Sequence, residues 1–168
     1  MLCHNADISV DDDGENAHSV GYLLSLGGFQ FLNLGDLTPD VQHRLACPES
    51  ALGAVDILQV PHHGNGVAPE VLWALTPNVA VVANGPHKGG SPAGHEVVSQ
   101  SPGLSHVWQL HRSLDTDAAH NTAESRIANL TAEDDGVGHW IKATIDPNGR
   151  RYTVTNARTG GSESYGWS

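Results

Sequence analysis

Two apolar stretches each run directly into a residue type that binds cations. Phe29-Gln30-Phe31-Leu32-Asn33-Leu34 is followed by Gly35-Asp36-Leu37-Thr38, and Val55-Asp56-Ile57-Leu58-Gln59-Val60 is followed by Pro61-His62-His63-Gly64. A carboxylate just past one strand and imidazoles just past the next can converge on one ion at a sheet edge with little loop entropy between them, which is what a hydrolytic metal site needs. Neighbouring residues of an extended segment point to opposite sides. One of His62 and His63 is therefore expected to bind directly and the other to stand behind it or contact substrate; the sequence leaves open which. A third apolar run, Val79 to Ala83, leads into the loop Asn84-Gly85-Pro86-His87-Lys88-Gly89-Gly90, where Asn84, His87 and Lys88 could hold a substrate phosphate or carboxylate.

The elements that must position these residues alternate in type. Ser19 to Leu26 and Phe29 to Leu34 flank Gly27-Gly28, a hairpin signal, and both runs are apolar on successive residues, which predicts cover on both faces. Thr38 and Pro39 open a helix that runs to Ala46, a strand spans Val55 to Val60, and a second helix spans Ala68 to Leu75. After Val79 to Ala83 come a helix from Pro92 to Gln100 and a strand from His106 to His111. Three strand-loop-helix units in sequence predict an α/β, layered α+β fold. Residues 112–135 read as an irregular excursion with a short helix around Glu124 to Leu130, and the chain closes with a hairpin, His139 to Ile145 and Tyr152 to Asn156. One domain over residues 16–158 is expected, preceded by a loose acidic segment (1–15) and followed by a flexible Gly- and Ser-rich tail (159–168).

Composition narrows the partners. With 168 residues and 39% hydrophobic content the chain suits a single globular domain. Its 19 acidic residues against 8 basic give a formal charge of −11, which argues against nucleic acid or an anionic membrane surface as a broad electrostatic partner. Histidine is in excess, with 11 copies, and an isolated one such as His4, His43, His95 or His106 is expected on the surface or satisfied in the core. Cys3 and Cys47 form no CxxC pair, so a Cys-based zinc site is not indicated, and whether they pair is left open. The run Asp11-Asp12-Asp13-Gly14-Glu15 lacks EF-hand spacing and reads as a solvated loop. No apolar run approaches the roughly 20 residues of a membrane span, and the first residues lack the basic and apolar regions of a signal peptide, so a soluble chain is expected.

Taken as an ordered set, several of these segments resemble the metallo-β-lactamase superfamily, in its ComEC-like branch of bacterial hydrolases. The set comprises Glu15-Asn16 with Ser19, Gly35-Asp36-Leu37-Thr38, Val60-Pro61-His62-His63-Gly64, the Asn84-Gly85 and Lys88-Gly89-Gly90 loop, Trp108-Gln109-Leu110-His111, His139-Trp140-Ile141-Lys142 and Thr153-Val154-Thr155-Asn156. The resemblance implies the C-terminal half of a four-layer αββα fold, with a mixed sheet, flanking helices and a C-terminal hairpin. It implies two zinc or similar divalent ions, Asp36 as the carboxylate that bridges them, and His62 or His63 as the last ligand. Asn16, Asn84 and Lys88 would lie on the substrate side, and His111 is expected to pack. The implied reaction is attack of a metal-bound hydroxide on a phosphodiester or other ester of a small molecule. The family's opening His-x-His-x-Asp-His segment, which supplies most of the ligands, is not in this sequence. The resemblance therefore covers a partial domain, and an uncovered sheet face is expected to favour self-association. A non-catalytic remnant or interaction module of the same fold, with weak or no metal binding, is the alternative.

Overall fold

The computed structural model describes Cys3 and residues 14–50, 52–132, 137–146, 148 and 150–167. The acidic run at residues 11–13 and His4 lie outside the described residues.

Six strands form one mixed sheet in the order β1 (Tyr22–Leu26), β2 (Phe29–Asn33), β3 (Ile57–Gln59), β4 (Val79–Val82), β5 (His106–His111) and β6 (Ile127–Asn129). β1 and β2 are an antiparallel hairpin through Gly27, and every later neighbour is parallel. Strands added in sequence order through right-handed crossovers leave their connecting helices on one face of the sheet. Those helices are α1 (Pro39–Ala46), α2 (Pro69–Leu75) and α3 (Pro92–Ser99). They bury Val71, Leu72, Leu75 and Val98 against Leu32, Leu58, Ala80 and Val82. The opposite face carries Phe29, Ile57, Val79 and Trp108, covered by Tyr152, Val154 and Tyr165 of a separate antiparallel sheet, β7 (Ile141–Asp146), β8 (Arg151–Asn156) and β9 (Ser162–Gly166). Adjacent residues such as Ile57 and Leu58 thus fill two different cores, which is why these strands read as continuous apolar runs. The result is a layered α+β fold of helices, mixed sheet and small sheet.

Three expectations are corrected. The stretch around Glu124 to Leu130 is a single helical turn, Glu124–Arg126, followed by β6, because a parallel ladder to β5 buries Ile127 and Ala128 completely. The end of the chain is not a loose tail: β9 pairs with β8 and places Tyr165 in the core between the sheets. Tyr165 accepts a hydrogen bond from the Trp108 indole (3.2 Å), and its hydroxyl lies 2.9 Å from His106 Nδ1. A short polar segment gives no apolar signal of its own, yet one aromatic residue in register suffices to dock it. Finally, β1 is covered on neither face; Tyr22, Leu23, Leu24 and Leu26 are all exposed.

Cys3 and Cys47 form a disulfide, which ties the start of the chain to the end of α1. Among the described residues no helix is long and apolar enough to cross a membrane.

Candidate metal centre

The parallel strands β2 to β5 present their C-terminal ends along one edge, the edge where open α/β sheets gather ligands. In order along it stand Gly35-Asp36 after β2, Pro61-His62-His63-Gly64 after β3, Asn84 after β4 and His111 at the end of β5.

Asp36 and His63 meet there, with Oδ1 and Nε2 3.4 Å apart and both side chains about one-third exposed. The other ring nitrogen of His63 lies 2.8 Å from the Ala83 carbonyl oxygen, which can only accept. Nδ1 therefore carries a proton and donates it, which leaves Nε2 as the ring nitrogen that faces the Asp36 carboxylate. A carboxylate oxygen and a ring nitrogen so placed are bridged by a cation, either a proton on Nε2 or a metal ion. The spacing suits a metal: with Zn–N and Zn–O bonds of about 2.0–2.2 Å, two ligands of a tetrahedral centre stand roughly 3.3–3.5 Å apart.

The backbone that aims His63 is unusual. His62 (φ 51°), His63 (φ 55°) and Gly64 (φ 84°) are all left-handed, a conformation that costs a non-glycine residue roughly 1–2 kcal/mol. The segment is thus a tight left-handed turn and not the extended stretch expected from sequence. The imidazoles still diverge: His63 turns to Asp36, while His62 Nε2 lies 3.4 Å from Asn16 Nδ2. Three backbone bonds hold the turn. His62 N–H donates to Gly35 O (3.0 Å), Gly90 N–H to His63 O (2.8 Å) and Asn65 N–H to His62 O (2.9 Å). The first of these ties the Asp36 turn and the His62-His63 turn to each other.

Glycines at positions 89 and 94 permit this packing. A Cβ on Gly89 would overlap the carbonyl and side chain of His63, and one on Gly94, in the first turn of α3, would overlap the carbonyl of Gly64. Ser91, the N-cap of α3, accepts from Gly94 N–H (3.1 Å) and donates to Gly64 O (3.1 Å). Neither glycine stood out in the sequence beyond its membership of a loop or helix.

The remaining sequence-predicted residues divide. Asn16 lies beside His62, and Ser19 Oγ accepts from the Asp36 backbone N–H (3.2 Å), so this pair belongs to the site. Asn84 is buried, and its amide is committed: Nδ2 donates to the carbonyls of Gly85 and His111, and Oδ1 accepts from His111 N–H. It is a clasp between the ends of β4 and β5 where a substrate contact was expected. Lys88 is exposed in the turn that Gly89 seats against His63, and its carbonyl accepts from Gly85 N–H. His87 pairs with Asp115 at 2.7 Å on the surface. His111 has its Nδ1 buried without a partner among the described residues, and burial holds its pKa below the usual imidazole value. Next to it a cavity of about 500 Å³ opens between Pro86, His111, Asn129, His139 and Arg158.

Among the described residues the buried Nδ1 of His62 also has no hydrogen-bond partner. Among the described residues no three His, Cys, Asp or Glu side chains gather as a metal-binding group. The donors present fit one edge of a zinc coordination shell, Asp36 with His63, and not the whole of a two-ion centre.

No match to this chain is found among protein-family models, curated proteins or solved structures.

Proposed function

We propose that this chain is a metal-dependent hydrolase of the metallo-β-lactamase type, acting on a phosphodiester or other ester of a small molecule, with Asp36 and His63 as its cation donors. One observation carries the reading: a carboxylate oxygen and an imidazole nitrogen converge at zinc-like spacing, with the imidazole's other nitrogen locked to a backbone carbonyl. Such a lock on the far nitrogen is how metal-binding histidines are oriented.

Asp36 and His63 would hold a divalent ion, which would supply Lewis acidity there. The chain's own residues do the rest. Asp36 provides a fixed negative charge on a turn anchored by Ser19. His63 offers one nitrogen only, in a fixed orientation, so no rotamer entropy is lost on binding. His62 and Asn16 form the polar wall beside the pair, and Lys88 supplies a positive charge on the neighbouring turn to an anionic substrate.

The second reading, a binding module without catalysis, is favoured by the donor count: two among the described residues, where zinc sites typically use three or more. Cobalt(II) titration distinguishes the readings, because its visible absorption reports coordination directly. The hydrolase reading expects one saturable spectrum per chain, lost in Asp36→Ala and His63→Ala and kept in His62→Ala, together with turnover of a chromogenic phosphodiester in the zinc-loaded protein. Saturable binding without turnover favours the module. No spectrum, or one indifferent to Asp36 and His63, overturns the metal site.

A further inference from the structure

Two side chains of α1 are buried, Ala46 and Gln42, and Gln42 has no exposed surface at all. An amide taken out of water is tolerated only where its hydrogen-bonding groups find partners. Those of Gln42 do. Nε2 donates to the carbonyls of Leu37 (2.6 Å) and Gly66 (3.2 Å), and Oε1 accepts from the Ala68 N–H (2.9 Å). Both amide hydrogens and the amide oxygen are thus engaged.

All three partners belong to the two turns that carry Asp36 and His63. Leu37 directly follows Asp36, and Gly66 and Ala68 follow His63 on the way into α2. The same two turns already meet once, where His62 N–H donates to Gly35 O at 3.0 Å. Asp36 stands between Gly35 and Leu37, and His63 stands between His62 and Gly66, so the two ties bracket the pair from both sides. Gly66 also rests directly on the start of α1: a Cβ there would stand 3.2 Å from Pro39 Cγ.

We infer that Gln42 is a positioning residue of the Asp36–His63 pair: its amide fixes one turn against the other and so sets the 3.4 Å separation of Oδ1 from Nε2. The inference rests on the reading of that pair as cation donors. Ligands carried on turns must be held to within about 0.5 Å by the residues behind them. Ser19 holds the backbone of Asp36, and the Ala83 carbonyl orients the His63 ring, but each acts on one donor alone. Gln42 acts on the relation between the two. An apolar side chain of equal length would fill the same space and leave the Leu37 and Gly66 carbonyls and the Ala68 N–H without it.

The test uses the purified full chain, with Gln42→Met, which keeps the length and loses all three bonds, and Gln42→Glu. A buried Glu carboxyl is held protonated, so it can accept from Ala68 N–H and donate to one carbonyl, a partial rescue. Tyr165→Phe, in the core on the opposite face of the sheet, controls for lost stability alone. The first readout needs no metal: hydrogen exchange of the His62 amide, which crosses between the turns, should be roughly 10-fold faster in Gln42→Met than in Tyr165→Phe, with Gln42→Glu between them. The second is cobalt(II) titration. Affinity should fall about 10–100-fold in Gln42→Met with an altered visible spectrum, recover in part in Gln42→Glu, and stay at the wild-type value in Tyr165→Phe. Gln42→Glu carries both readouts if Gln42→Met does not fold. Unchanged His62 exchange in the Gln42 variants overturns the tie between the turns, whatever the metal result. Wild-type cobalt affinity and spectrum in those variants overturn the positioning role and leave the Asp36–His63 centre standing. A wild type without a cobalt spectrum overturns the centre and this role with it, and the exchange data separate that failure from a failure of the tie.

Discussion

Replacing Gly94 by alanine sets two physical effects against each other. Gly94 is in the first turn of α3, and by intrinsic propensity alanine is better in a helix by up to about 1 kcal/mol. The tertiary contact acts the other way. A Cβ on Gly94 would lie 2.9 Å from the carbonyl carbon of Gly64 and closer still to its oxygen. Both atoms belong to backbone held by Ser91 and by the left-handed turn, so no flexible side chain can yield. Overpacking of this kind costs roughly 1–3 kcal/mol, and a backbone-on-backbone overlap belongs at the upper end. The net expectation for Gly94→Ala is a loss of about 2 kcal/mol, which lowers Tm by roughly 4–8 °C in a chain of this size. Gly53, whose Cβ would meet nothing within 4 Å and whose φ is not left-handed, is the control, and Gly53→Ala should be neutral or slightly stabilising. Thermal unfolding followed by circular dichroism measures both. Because Gly64 follows His63 directly, Gly94→Ala should also weaken cobalt binding while Gly53→Ala does not. A Gly94→Ala protein as stable as the wild type would refute the contact between α3 and the His-His-Gly turn, and with it the account of how His63 is aimed.

Other substitutions test the remaining contacts. Tyr165→Phe removes the acceptor of the buried Trp108 indole N–H and should cost about 1–3 kcal/mol in chemical denaturation, with a changed Trp fluorescence; an unchanged midpoint would return the chain's end to the status of a tail. Asn84→Leu strands the backbone groups of Gly85 and His111 and should cost a similar amount, read in the same denaturation curves. The His120 imidazole lies between Asp117 (2.7 Å) and Glu96 (3.4 Å), and the hydrogen bond to Asp117, ahead of that to Glu96, raises its pKa. A raised folded-state pKa stabilises fully below the unfolded value near 6.5 and loses that contribution as pH rises through the folded value. Stability should therefore decline modestly with rising pH from about 6.5 upward. His120→Gln should flatten that slope in a Tm-versus-pH series, and a slope identical in both proteins would exclude a stabilising contact of His120 with Asp117 and Glu96.

Much of the fold is legible residue by residue. A continuous apolar run such as Val79–Val82 announces a strand buried on both faces, and Pro39, Pro69 and Pro92 open the helices α1, α2 and α3 where proline's fixed φ is already helical. The types at the strand ends, Asp36 and His62-His63, are equally visible, because a polar residue that terminates an apolar run must emerge at the sheet's edge. Beyond that point the sequence is silent. That His63 and not His62 meets Asp36 depends on a left-handed turn locked by Gly35, Gly90 and Asn65, contacts that span up to 27 positions of chain. Asn84 looks like a substrate ligand until the fold brings the backbone of His111 to it. The same holds for β1 and β9: the first is apolar yet left uncovered, the second polar yet docked by Tyr165, because cover is a property of neighbours and not of a strand's own composition. Local sequence determines which residues lie at the edge and in which element. Only tertiary packing decides which of them face one another, since that rests on long-range contacts each worth little alone and selected together.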